Sequence, residues 1–146
     1  MKNTLAFILC SLLLGCSGKN EAPGTEKNPP SFILGNHQDD YAITYTIDEQ
    51  VWLQHPEAKY NILEWVPEEQ YLIAQNDSSN ASYAGLFTRI DWIELSGMPP
   101  YEWAFCLSSY DATSVKEAAS VTIANRDEPK SGCNGFPFSR MQPALK

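Results

Sequence analysis

The stretch Leu86-Phe87-Thr88-Arg89-Ile90-Asp91-Trp92-Ile93-Glu94-Leu95 carries the clearest strand signal in the chain. Successive side chains of a strand point to opposite faces. One face therefore holds Leu86, Ile90 and Trp92, and the other holds Phe87, Ile93 and Leu95. A strand that is apolar on both faces is covered on both sides. The stretch predicts a strand at the centre of a sheet, or in a sheet that curls over a helix.

Shorter segments with the same period-two alternation flank this stretch, at 41–47, 51–53, 60–65, 71–75 and 101–107. Pro67 presets a turn between two of them. Ser114 followed by Glu117 fits a capping box, which predicts one short helix. The tail from Ser131 to Phe138 is irregular. The sequence therefore predicts a mainly β fold with one short helix, as an antiparallel meander or a partly closed barrel.

The N-terminus has the features of a bacterial lipoprotein signal. Lys2 precedes an apolar run that ends at Leu13-Leu14-Gly15-Cys16 and is too short to span a bilayer, which needs about 20 residues. Lipoprotein signal peptidase accepts an aliphatic residue three places before the cysteine and a small one directly before it. An ordinary secretory signal is the alternative. We expect a signal peptide at 1–15, lipidated Cys16 and a flexible tether at 16–35, and a single β-rich domain at 36–146.

The charge of the chain restricts its partners. There are 18 Asp and Glu against 10 Lys and Arg, for a formal net charge of −8. A chain this acidic, without a basic cluster, lacks the electrostatic footprint of a nucleic-acid binder. Anionic lipid surfaces also repel it, so N-terminal acyl chains are expected to hold it at the membrane. The protein partner that this charge favours is a cationic one.

The cysteines reduce to one pair. Cys10 leaves with the signal peptide and Cys16 is acylated, so Cys106 and Cys133 remain in an oxidising compartment, where an even pair favours a disulfide. Their spacing resembles no zinc motif, and no histidine lies near them in sequence. We therefore expect a Cys106–Cys133 bridge that pins the C-terminal segment.

Arg89 and Asp91 are the most interesting polar pair, since at i and i+2 they share one face of the predicted strand. If that face is inside, the pair lies in or beside the core, where charges are costly and are sometimes kept for a ligand or for specificity. If that face is outside, the two residues form an exposed ion pair that contributes little to stability. The sequence favours the exposed arrangement and leaves the other open.

The remaining candidate groups do not indicate a catalytic or metal-binding site. His37 and His55 lie near predicted chain breaks, where we expect exposed loop residues, and no nucleophile motif accompanies them. His37 with Asp39 and Asp40 is a weak metal signal, and the oxygens in the loop from Asn76 to Asn80 fit turn formation better than Ca²⁺. The sequence therefore predicts no catalytic residue, no metal site and no cofactor.

Four pieces of the chain together resemble a known family: Ala74-Gln75-Asn76-Asp77, Thr88-Arg89-Ile90-Asp91-Trp92, Ala104-Phe105-Cys106 with Tyr110-Asp111-Ala112, and Gly132-Cys133-Asn134-Gly135-Phe136. The family comprises uncharacterised predicted lipoproteins of Gram-negative bacteria, including myxobacteria. This chain departs from its pattern by having Ile90 for Phe, Phe105 for Tyr and Asn134 for Gly. The resemblance implies an envelope location, the cysteine bridge and one shared domain, and it implies no activity.

The functional expectation is a lipid-anchored envelope protein, in the outer membrane rather than the inner, that acts as a non-catalytic binding or structural module. A more specific version is an inhibitor of a cationic envelope-attacking enzyme such as lysozyme. The alternative from another class is a small envelope hydrolase that uses Asp and Glu carboxylates, which would face each other across a cleft at about 5–10 Å.

The lipid anchor makes a direct prediction about Cys16. Replacing Cys16→Ser abolishes acylation, because the thiol that carries the diacylglycerol is gone, whereas Cys10→Ser leaves the lipidated product unchanged. Mass spectrometry of the purified chains measures this difference. An unmodified Cys16 thiol in the wild-type product contradicts the prediction.

Overall fold

Short antiparallel hairpins follow one another along the chain because turn residues separate its alternating segments. A computed structural model describes residues 28–144, so the predicted signal peptide at 1–15 and Cys16 lie outside the described residues. It contains the strands β1 (Gly35–Asp39), β2 (Thr44–Ile47), β3 (Val51–Gln54), β4 (Ala58–Val66), β5 (Tyr71–Asn76), β6 (Phe87–Glu94), β7 (Trp103–Ala112) and β8 (Ser139–Pro143). One helix, α1 (Val115–Ala119), lies between β7 and β8, and a single 3₁₀ turn (Pro67–Glu69) joins β4 to β5.

The meander closes on itself. Each strand pairs antiparallel with its neighbour in sequence, and β8 pairs with β1, where His37 lies opposite Pro143 and Asp39 opposite Met141. The predicted mainly β class is therefore confirmed, and the sheet is a closed eight-stranded barrel rather than an open meander. Closure leaves no free edge for pairing with another chain.

Aromatic rings fill the interior of the barrel. Trp52 contacts Trp103 and Phe105 edge-on, with ring centroids 5.9 and 5.2 Å apart, which is the geometry that aromatic pairs prefer. Eight strands make a barrel just wide enough for side chains to fill it. The buried residues of this interior cluster are Ile33, Tyr45, Ile47, Trp52, Tyr60, Trp65, Leu72, Ala74, Ile90, Trp92, Trp103, Phe105 and Met141.

A second layer covers part of the outside of the barrel. The connection between β7 and β8 runs back over β5, β6 and β7. Ala118 of α1 packs with Tyr71 and Ile73, and Phe138 packs with Ile93 beside the disulfide. This layer explains why β6 is apolar on both faces: one face lines the interior, and the other lies under the connection.

The helix begins as predicted. Ser114 is the N-cap, and its side chain accepts a hydrogen bond from the Glu117 amide. The Glu117 carboxylate reaches back one residue further than in a standard capping box, to the amide and hydroxyl of Thr113. These two hydrogen bonds lower the pKa of Glu117.

The sequence did not predict two of the strands, β1 and β8. These two strands pair with each other to close the barrel, and we call them the seam strands. The predicted tether at 16–35 includes the first residue of β1, and the sequence predicts no element over β8. The folded region begins before residue 36, because Ile33 is fully buried and β1 starts at Gly35. Tyr41, predicted to lie in a strand, is exposed on the β1–β2 connection. Neither seam strand has a strong apolar alternation, and the two strands pair with each other only when the barrel closes.

The disulfide joins Cys106 of β7 to Cys133 across 27 residues of sequence, so it holds the outer layer against the barrel. Replacing both cysteines by Ser is expected to lower the free energy of unfolding by about 3–4 kcal/mol, because the unfolded chain regains the entropy of that loop. Urea denaturation of the variant and of the wild type, with and without reductant, measures the difference. Equal midpoints for the oxidised wild type and the variant would contradict a stabilising role.

Candidate functional site

Arg89 and Asp91 lie on the outward face of β6, at alternate positions of one strand. The sequence favoured an exposed pair on that face, but the exposed fractions are only 7% and 1%. The reason is the outer layer, which covers this part of the barrel. From the sequence that segment looks irregular and polar, so it gave no sign that it would bury anything.

The Asp91 carboxylate is the centre of this cluster. Arg89 donates to it twice, from Nε to Oδ2 at 2.8 Å and from Nη2 to Oδ1 at 3.0 Å. Ser108 donates to Oδ2 at 2.5 Å, and Arg126 donates to Oδ1 at 2.6 Å. A carboxylate has about four acceptor positions, so protein donors occupy all of them.

Arg126 belongs to this cluster although the sequence analysis did not predict it. Besides Asp91, it donates to the carbonyl oxygens of Glu69 at 2.7 Å, Gln70 at 2.9 Å and Trp92 at 3.2 Å. It thereby ties the outer layer to the β4–β5 connection and to β6. Arg126 lies outside any helix or strand and is 35 residues away from Asp91 in sequence, so no spacing pattern predicts that the two meet.

The Arg89 guanidinium completes the contacts. It donates to the Ala119 carbonyl at the end of α1 at 2.8 Å and lies 3.7 Å from the centroid of the Tyr71 ring, where a cation–π contact is favourable. We call Arg89, Asp91, Ser108 and Arg126 the Asp91 clamp. Since each Asp91 oxygen is held by protein donors, the clamp is suited to fastening the outer layer rather than to binding a ligand.

The two histidines have different environments. His55 is exposed, as expected, and its Nε2 is 2.9 Å from the Thr46 hydroxyl. His37 is buried, contrary to the expectation of an exposed loop residue: its Nε2 hydrogen-bonds the Ile33 carbonyl at 2.9 Å, and its ring meets Trp103 edge-on at 5.2 Å. It is buried because β1 is part of the closed barrel.

The weak metal signal of His37, Asp39 and Asp40 gains no support from the geometry. Asp39 is buried and accepts hydrogen bonds from the amides of Tyr41 and Ile43 and from the Tyr45 hydroxyl. Within residues 28–144, no group of three or more His, Cys, Asp or Glu side chains is placed to hold a metal ion.

The polar loop from Asn76 to Asn80 is organised by its own side chains, as turn chemistry predicts. Asp77 accepts hydrogen bonds from Ser79 and Asn61, and these lower its pKa. Asn80 exchanges two hydrogen bonds with the backbone of Lys59, each 2.9 Å long. These oxygens are occupied by protein donors.

One end of the barrel is lined by carboxylates. In an up-and-down barrel the β2–β3, β4–β5 and β6–β7 connections all lie at the same end. We call this the acidic end, and it carries the exposed side chains of Asp48, Glu49, Glu68, Glu69, Glu94 and Glu102. The three connections contain no Lys or Arg. Because β1 starts at this end, the segment that leads into the barrel from the N-terminus enters here.

Comparison with protein-family models, with curated proteins and with solved structures finds no match to this chain. No helix within residues 28–144 is long and apolar enough to cross a membrane.

The Asp91 clamp predicts a large effect of one substitution. Asp91→Asn is expected to lower the free energy of unfolding by about 3–5 kcal/mol, since it leaves two largely buried guanidinium groups without their counter-charge. Asp111→Asn, at an exposed position of the neighbouring strand β7, is the matched control and is expected to have little effect. Chemical denaturation measures both. A loss below about 1 kcal/mol for Asp91→Asn would show that the clamp does not stabilise the fold.

His37 predicts how stability depends on pH. Burial lowers its pKa below the usual 6.5, although the Ile33 carbonyl and the Glu102 carboxylate oppose the shift. Below pH 6.5 His37 becomes protonated in the unfolded chain but stays neutral in the folded chain. The free energy of unfolding is therefore highest above pH 6.5 and declines as the pH falls toward the folded pKa. Between pH 7.5 and 5.5, His37→Gln is expected to lose less unfolding free energy than the wild type or His55→Gln. Equal losses in all three proteins would contradict this.

Proposed function

We propose that this chain is a lipid-anchored envelope protein that acts by binding a cationic protein partner, and that it is not a catalyst. The anchor is inferred from Leu13-Leu14-Gly15-Cys16, with the outer membrane as the favoured location. The acidic end of the barrel is the single observation that carries the binding role. An enzyme that attacks the envelope, such as a cationic lysozyme, is the partner class we propose.

Of the six Lys and Arg side chains among residues 28–144, four pair with carboxylates outside the acidic end. Lys59 pairs with Asp77, Arg140 with Asp40, and Arg89 and Arg126 with Asp91. Arg126 approaches the acidic end, but its guanidinium is held by Asp91 and by backbone carbonyls. The end therefore keeps a concentrated negative field.

A field of this kind acts mainly on association. Complementary charge steers the encounter and raises the association rate, and it is screened once the separation exceeds a Debye length of about 8–10 Å. Binding at the acidic end should therefore weaken with salt. The filled interior of the barrel supports the same proposal, since aromatic side chains occupy the space in which an eight-stranded barrel would hold a small ligand.

The test measures inhibition of a cationic lysozyme by the full chain, purified in a non-ionic detergent, across a range of salt concentrations. We expect inhibition that declines with salt and that weakens about tenfold or more when Asp48, Glu49 and Glu69 are changed to Asn, Gln and Gln, as the loss of several steering charges predicts. Glu57→Gln with Asp111→Asn, at the other end of the barrel, is the matched control and should inhibit like the wild type.

Two outcomes would contradict the proposal. If the chain neither binds nor inhibits cationic lysozymes at any salt concentration, the proposed class of partner is wrong. Digestion of isolated murein by the chain itself, without lysozyme, would instead support the carboxylate hydrolase considered from the sequence.

A further inference from the structure

The end of the barrel opposite the acidic end carries an exposed pair of aromatic rings. Tyr83, from the β5–β6 connection, and Tyr110, near the end of β7, have 49% and 45% of their surface exposed. Their ring centroids are 4.9 Å apart and the planes are inclined by 58°. Contiguous exposed apolar surface with polar residues at its rim can mark a ligand-binding groove.

The pair is held in place from below by a buried amide. Asn76 is 3% exposed, and its Nδ2 donates to the carbonyl oxygens of both Tyr83, at 2.9 Å, and Tyr110, at 2.8 Å. Its Oδ1 accepts a hydrogen bond from the fully buried Thr88 hydroxyl, which fixes the orientation of the amide. One side chain therefore positions the backbone of both tyrosines.

The loop that carries Tyr83 is also preorganised. Tyr83 has a φ of 56°, in the left-handed region that a residue with a Cβ adopts only at a cost of roughly 1–2 kcal/mol. Asn80 clamps the loop to the backbone of Lys59. Strain that the surrounding structure maintains is common at binding sites.

A depression of about 340 Å³ lies beside the two rings. Gln54, Glu57 and Ser82 contribute polar groups to its lining, and Leu107 contributes an apolar wall. This volume lies within the range of small-molecule sites, about 300–1,000 Å³. We call this depression, with Tyr83 and Tyr110, the tyrosine notch.

The chemistry of the notch favours a neutral, hydroxylated ligand. Phenol rings pack against the C–H face of a pyranose ring, while an amide, a hydroxyl and a carboxylate can hydrogen-bond the sugar hydroxyl groups. Among the residues that the structure describes, Glu57 is the one charged side chain lining the depression, so the notch lacks the concentrated charge that would select a cationic segment. We propose that the tyrosine notch binds pyranose units of a glycan chain.

The position of the notch fits an envelope glycan. The chain enters the barrel at the acidic end, and the notch lies at the other end, so in a membrane-anchored protein the notch can face away from the membrane and toward the cell wall. This orientation, unlike the notch itself, rests on the proposed lipid anchor. Glycan binding in solution does not depend on the anchor or on the cationic partner, so failure of one leaves the other intact.

The test titrates chitohexaose and cellohexaose into the ¹⁵N-labelled full chain, held in a polyoxyethylene detergent that contains no sugar. We expect saturable amide shifts at Tyr83, Tyr110 and the Asn76 side chain with at least one of the two oligosaccharides. Tyr83→Ala and Tyr110→Ala should each weaken binding about five- to tenfold, as loss of one aromatic contact predicts. Tyr83→Phe and Tyr110→Phe keep the rings and should bind with near wild-type affinity.

Tyr41→Ala is the matched control, since Tyr41 is 65% exposed and lies on the β1–β2 connection outside the notch. It should bind like the wild type. The proposal is overturned if neither oligosaccharide gives saturable shifts at millimolar concentration, or if folded Ala variants bind as tightly as the wild type. It is also overturned if an oligolysine peptide, and neither sugar, produces the shifts at the notch.

Discussion

The pairing of β1 with β8 is the constraint on which the rest of the structure depends. It joins the first and last strands of the chain and converts a meander with two free edges into a ring. Only inside a closed ring can Trp52, Trp103 and Phe105 all be buried against one another. The same closure buries His37, which couples the protonation of one imidazole to the stability of the whole barrel.

The outer layer is held by two neighbouring devices of different kinds. The disulfide attaches Cys133 to Cys106, and the Asp91 clamp attaches Arg126 to β6 and to the β4–β5 connection. Asp91 and Cys106 are directly opposite each other on paired strands, and the Ser108 hydroxyl lies within reach of both side chains. A covalent bond and a buried ion pair thus fasten an irregular segment that has few apolar contacts of its own.

The two ends of the barrel are chemically different, and this difference shapes the functional proposals. The acidic end presents carboxylates on three connections and suits long-range attraction of a cationic protein. The tyrosine notch presents aromatic rings held by Asn76 and suits short-range contact with a neutral ligand. Because the interior is filled, function is assigned to the ends of the barrel rather than to its centre.

Local patterns in the sequence determined the strands from β2 to β7, the Pro67 turn and the Ser114 cap, since alternation and capping depend on residues close in sequence. Counting the cysteines that remain after signal cleavage and acylation also identified the Cys106–Cys133 pair. Tertiary structure alone decided the seam strands, the burial of His37 and the union of Arg89, Asp91 and Arg126. These depend on partners far away in the chain: β1 meets β8, and Asp91 meets Arg126, only after the barrel has closed and the outer layer has folded over it.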